Sequence, residues 1–190
     1  MITTTIMTFE GASKQRRDNA EAIAEQIGGK VYVGGKCTTD NFEAILQQCG
    51  DEPLLMLEDD VTPCNNFNEV IAKEIAKRPD DIINCHSQSV RGGRYLPLNI
   101  YENLQCVYIP NHAVKDLLDI AIPNFRLRQP NLVKLNDHEK IFQQLEGEYY
   151  ATRYCLVCQN TWASEIFHGH TDVHTKWFID EVNDGKSSLL

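Results

Sequence analysis

No apolar run in this chain approaches the roughly 20 residues needed to cross a bilayer, which excludes a spanning helix. The opening "MITTTIMTF" has no basic n-region and no small-residue cleavage site, so a secretory leader is not expected and a cytoplasmic location is. Neither GxGxxG nor the P-loop pattern occurs, leaving dinucleotide and Walker-type binding without support. Bases are scarce: 18 Lys and Arg stand against 27 Asp and Glu, a net charge of −9. That balance carries no electrostatic footprint for non-specific nucleic-acid binding, and a nucleic-acid acceptor is not indicated. Low-complexity tracts, internal repeats and linkers are missing too. One domain over 1–182 is expected, with 183–190 as a flexible tail. The seven cysteines are odd in number and scattered, so free, mostly buried thiols are expected. Cys155 and Cys158 form a CxxC inside an apolar strand, but no second CxxC and no His pair at finger spacing accompanies it.

What is present alternates. "TTTIMTF" (3–9) reads as a strand, and Ser13 can cap a helix running to Ile27, stopped by Gly28-Gly29. A strand over 30–35 follows, then a helix opened by Asp40 and Glu43 as a capping box, then a strand over 53–57. Asn66 and Glu69 predict a second box and a helix to about Lys77; strands are expected over 81–87 and 104–110. Asn111 is expected to cap the next helix, with "PNFRLRQPN" a proline-bounded basic loop. A short helix from Asp137 to Leu145 and a strand over 149–159 complete the pattern. Such alternation argues for an α/β fold with a mostly parallel sheet flanked by helices. Ligands of such sheets bind beyond the carboxyl ends of the strands.

Residues 54–64, "LLMLEDDVTPC", place three acids at such a strand end. Three adjacent carboxylates repel, and Glu58, Asp59 and Asp60 offer the hard oxygen ligands that Mg²⁺ and Mn²⁺ prefer. Along a strand, 58 and 60 face one side and 59 the other, so Glu58 and Asp60 can share a metal while Asp59 orients its neighbours. The plainer reading is a solvated acidic turn that caps the next helix.

An apolar strand ending in "LEDDV", then a turn and a helix with Phe near its start, resembles the ExD/DxD site of GT-A glycosyltransferases. The order of further segments is similar to glycosyltransferase family 25, the lipooligosaccharide and collagen sugar transferases. Those segments are "TIMTFEGASKQRRDNA", "KCTTDNFEAILQQCGDEPLLMLEDDV", "CVYIPNHAVKDLL", "NDHEKIF" and "CLVCQNTWASEI". The chain departs in having "FEGAS" where a basic residue follows strand one and "TTDN" where a histidine often stands.

The resemblance implies a GT-A-like fold and a metal-dependent transfer from a nucleoside-diphosphate sugar to a hydroxyl acceptor, most readily a saccharide. Mn²⁺ or Mg²⁺ would sit on Glu58 and Asp60, with His170 of "FHGHTDVH" as a further ligand. Thr8, Phe9 and Glu10 would line the nucleobase pocket. Arg16 or Arg17 would reach the diphosphate, Glu58 and Asp59 would serve the donor, and Arg91 and Arg94 of "VRGGR" would close over it. Asp137 would be the general base, with Glu139 as the alternative. Two other readings remain open here: a nucleotide-sugar-binding module without turnover, and a metal-dependent phosphotransferase or phosphatase, for which Glu58 stands where the nucleophilic Asp belongs.

Overall fold

The structure, a computed structural model, describes residues 1–86, 93–101, 104–128 and 139–160. The β-branched opening makes β1 (Thr3–Phe9), and α1 (Lys14–Ile27) begins where Ser13 accepts the backbone N–H of Arg16 at 3.3 Å. The helix ends at Gly28, whose φ of 75° is one that glycine adopts without a Cβ penalty. β2 (Lys30–Gly34), α2 (Thr38–Cys49), β3 (Leu54–Glu58), β4 (Val61–Pro63) and α3 (Phe67–Lys77) follow. The second half comprises β5 (Ile83–Asn84), β6 (Arg94–Pro97), β7 (Cys106–Ile109), α4 (Asn111–Asp116), α5 (Ile122–Arg128), α6 (Glu139–Phe142), β8 (Glu148–Ala151) and β9 (Val157–Gln159). No helix among the described residues is long and apolar enough to cross a membrane.

Among the described residues seven strands form one sheet in the order β2-β1-β3-β7-β5-β8-β6, and β4 pairs with β9 apart from it. β1, β2, β3, β5 and β8 run one way, β6 and β7 the other, so the mostly parallel α/β expectation holds. Strand alternation sorts the core onto two faces. Leu54 and Met56 of β3 join Phe42, Val114, Phe125 and Phe142 from α2, α4, α5 and α6; Leu55 and Leu57 join Ile23, Ile27, Phe67 and Ile71 from α1 and α3. Burying each such side chain stabilises the fold by about 1.5–3 kcal/mol.

Several local expectations give way to tertiary partners. α2 starts at Thr38 behind Cys37, so Asp40 falls inside the first turn, and both Asp40 and Glu43 instead bind Arg126 of α5. Asn66 precedes α3 in the left-handed region without a side-chain cap, and Glu69 pairs with Lys73 at 2.6 Å. Asn111 is the first residue of its helix, with Pro110 before it. The expected basic loop is helical through Arg128: a π-helical turn over Leu117–Ala121 joins α4 to α5, and the wider turn accommodates Pro123, which lacks an N–H. The expected strand over 149–159 divides between two sheets as β8 and β9, and that over 81–87 shrinks to β5. The start expected for the helix near Asp137, and the tail from 183, lie outside the described residues.

The ends of β1 and β2 are locked together, because Glu10 N–H donates to the Gly34 carbonyl at 2.7 Å and Asn41 Nδ2 to that of Gly35 at 2.8 Å. A Cβ on Gly34 would stand 2.1 Å from Asn41 Oδ1. Gly34→Ala is therefore expected to cost about 1–3 kcal/mol in urea unfolding. Asn41→Ala in the same chain should give back part of that cost through a non-additive cycle; strict additivity would refute the clash.

Candidate carboxylate site

The acids lie where β3 leaves the sheet. Glu58 ends the strand, with its N–H on the Gln105 carbonyl at 3.0 Å, and Asp59 and Asp60 form the turn into β4. Asp59 is buried and fully engaged. Its Oδ1 accepts Arg16 Nε at 2.9 Å and Arg16 Nη2 as well, while its Oδ2 accepts the Thr8 hydroxyl. The turn's backbone is held from both sides. Asn19 Nδ2 donates to the carbonyls of Asp59 at 2.7 Å and Val61 at 2.9 Å, and Asn160 N–H donates to that of Asp60 at 2.8 Å.

Asp60 differs. Its Oδ2 lies 3.7 Å from Arg16 Nη2, but its Oδ1 is buried with no hydrogen-bond partner among the described residues, although a side-chain exposure of 20% remains. Burial first and the charge of Glu58 second push its carboxyl up to about 7, against the pull of Arg16. Burial likewise pushes Asp59 up, opposed by Arg16 and Thr8, while the carboxylates hold Arg16 charged despite its own burial. Arg16 faces Asp59 and Asp60, with Glu58 beside them. A buried carboxylate oxygen with no hydrogen-bond partner among the described residues, beside a second carboxylate, would fit a divalent cation. Among the described residues no group of three His, Cys, Asp or Glu side chains is arranged to hold a metal. A cation on Glu58 and Asp60 would take its other ligands from water or phosphate oxygens.

No family model and no curated protein matches the chain. Among solved structures it is similar to a glycosyltransferase involved in the glycosylation of the major capsid of PBCV-1, at 15% identity and a TM-score of 0.46 over 78% of this chain and 80% of that one. It is also similar to A197 from STIV, at 16% identity and a TM-score of 0.49 over 82% of this chain and 83% of that one.

Of the residues singled out in the sequence, the structure brings Thr8, Arg16, Asp59 and Asp60 into one network, with Glu58 beside it. Phe9 lies against the same arginine, whose guanidinium carbon is 5.3 Å from the ring centroid, and Glu10 follows at the end of β1. Arg17 is exposed and donates to the Ala12 carbonyl. Arg94 is exposed on β6, four strands from β3 and so roughly 19 Å away at about 4.8 Å per strand. Glu139 opens α6 on the sheet face that holds Phe42 and Phe142, near the Tyr101 phenol. Arg91, Asp137 and His170 lie outside the described residues.

Sequence reading missed Asn19, Asn160 and the pair Gln105 and His86. His86 Nδ1 lies 3.0 Å from Gln105 Oε1, which makes Nδ1 the protonated nitrogen. Burial lowers His86 from 6.5 to about 4, against the hydrogen bond it donates to Gln105 and the charge of Glu58. The unfolded chain thus binds the extra proton between those values, and His86 costs stability as pH falls from 6.5 to 4, up to about 3 kcal/mol. Asp60 has the opposite sign: its folded value is raised, so protonation below about 7 favours the folded chain. His86→Gln should therefore gain on the wild type as pH falls from 6.5 to 4 in urea unfolding. A difference that does not vary with pH would show that His86 is not held neutral.

Proposed function

We propose that the chain is a metal-dependent glycosyltransferase that moves a sugar from a nucleoside diphosphate to a hydroxyl acceptor, most readily a saccharide. The observation that carries this reading is the buried Oδ1 of Asp60, without a hydrogen-bond partner among the described residues, beside Glu58, with Asp59 paired to Arg16. The ordered segments resembling glycosyltransferase family 25 add the reaction class. Glu58 and Asp60 would hold Mn²⁺ or Mg²⁺, with His170 as a further ligand. When bound, the ion supplies positive charge against the leaving nucleoside diphosphate.

The chain's own residues divide the remaining work. Phe9 and Glu10, at the carboxyl end of β1, flank the nucleobase side, and the locked β2 end fixes that wall. Arg17 and Arg91 are the cations assigned to the donor's phosphates and sugar. Asp137 takes the proton from the acceptor hydroxyl as it attacks the anomeric carbon, with Glu139 as the alternative base. General-base help of this kind is worth roughly 10²–10⁴-fold.

A thermal-shift panel of UDP, GDP, CDP and their sugars, with and without Mn²⁺, tests the reading. A ligand at about 100 times its Kd should stabilise the fold by about 2.7 kcal/mol. One nucleotide is expected to shift the melting only with the metal present. No shift with any nucleotide sinks the proposal, and metal-dependent binding without sugar transfer or donor hydrolysis makes the chain a binding module.

A further inference from the structure

We infer that Arg16 and Asn19 of α1 are positioning residues that hold the Glu58–Asp60 carboxylates for the cation, and that Arg16 does not itself contact the donor diphosphate. This rests on the cation reading of that pair. Arg16 and Asn19 stand three residues apart, so one turn of α1 presents both to the acid turn. Arg16 is only 8% exposed. Its Nε and Nη2 point at Asp59 Oδ1, its Nη2 also faces Asp60 Oδ2 at 3.7 Å, and its guanidinium lies over Phe9. A guanidinium so enclosed acts through the carboxylates it touches. Asn19 acts on the main chain, bridging the carbonyls on either side of Asp60, so the backbone that carries Asp60 has a fixed course.

The division of labour follows from geometry. Asp59 points to the α1 face, where Arg16 and Thr8 saturate it, and the turn is pinned by Asn19 and Asn160. What remains free to change is the Asp60 carboxylate, whose Oδ1 lacks a hydrogen-bond partner among the described residues. Ligands are useful to a metal only within a few tenths of an ångström of their position, and the groups orienting them typically set 10- to 100-fold of affinity.

The experiment measures Mn²⁺ affinity from the paramagnetic signal of the free ion, with whichever of UDP, GDP or CDP stabilises the wild type. The chains are wild type, Arg16→Lys, Asn19→Ala and Lys73→Ala. Arg16→Lys and Asn19→Ala should each weaken Mn²⁺ roughly 10- to 100-fold. Nucleotide affinity should return to within about threefold of wild type once Mn²⁺ is saturating, a rescue that a lost phosphate contact cannot show. Lys73→Ala, on the exposed face of α3 where Lys73 pairs with Glu69, should leave Mn²⁺ affinity unchanged. Nucleotide binding that stays lost at saturating Mn²⁺ in Arg16→Lys overturns the inference and makes Arg16 a donor contact, with the cation reading intact. Unchanged Mn²⁺ affinity in both variants overturns it as well. A wild type that binds no Mn²⁺ overturns the cation reading and this inference together. If Arg16→Lys does not fold, Asn19→Ala, which leaves every charge in place, tests the positioning of the turn, and unchanged Mn²⁺ affinity in it overturns the inference.

Discussion

Replacing Asp59 with alanine should destabilise the chain by about 3–5 kcal/mol, because it strands a buried guanidinium. The side chains of Arg16 and Asp59 are 10% and 1% exposed, far from the solvated pairs whose median worth is below about 1 kcal/mol. At this length each kcal/mol moves the melting temperature by roughly 2–4 °C, so a fall of about 10 °C is expected. Asp60 limits the loss, since its Oδ2 already lies 3.7 Å from Arg16 and can turn towards it. Removing both charges should cost much less: Arg16→Met with Asp59→Leu replaces a desolvated pair by apolar volume, a change that is often neutral or stabilising. A double variant as unstable as Asp59→Ala alone would show that packing at this corner, and not charge, sets the stability. Thr8→Val removes one neutral donor and should cost only about 1 kcal/mol.

The same corner shows what the sequence discloses. The apolar run before the acids marks β3 for a local reason, but Asp59 and Asp60 lie in the turn beyond it, where strand alternation no longer applies, and Arg16 faces both. Ser13 and Gly28 mark the ends of α1 for an equally local reason, since orphan N–H and C=O groups must be met within one turn. The partners of the acids are of another kind. Thr8, Arg16 and Asn19 lie 51, 43 and 40 residues from the groups they bind, and no spacing rule connects them. Asp40 and Glu43 fail as a capping box for a related reason. The box pattern is genuine, but Arg126, 86 residues from Asp40, offers a charged partner, and the helix starts earlier, behind Cys37. Pro123 reads as a helix breaker locally, yet the π turn before it absorbs the missing donor. Fold class came from many such local signals acting together; the site's wiring came from single long-range contacts.

Asp60→Asn should raise the melting temperature while abolishing metal-dependent nucleotide binding. Burial and Glu58 hold the Asp60 carboxyl up to about 7, so at pH 8 the folded chain keeps a carboxylate ionised against its surroundings. An amide of the same shape removes the repulsion from Glu58, and a gain of about 1–3 kcal/mol is expected, several degrees in melting temperature. The gain should fade as pH drops below 7, where the native carboxyl takes up its own proton. Function moves the other way. An amide oxygen cannot replace the anionic ligand, so the roughly 2.7 kcal/mol that a nucleotide with Mn²⁺ adds to the wild type at 100 times its Kd should vanish. Transfer should fall by about 1,000-fold or more if the ion supplies several kcal/mol at the leaving diphosphate. Opposite signs in one variant are the signature of a residue kept for chemistry at the expense of stability. An Asp60→Asn chain that melts below the wild type and still binds nucleotide through Mn²⁺ would make this turn structural, with Glu58, Asp59 and Asp60 serving only to join β3 to β4.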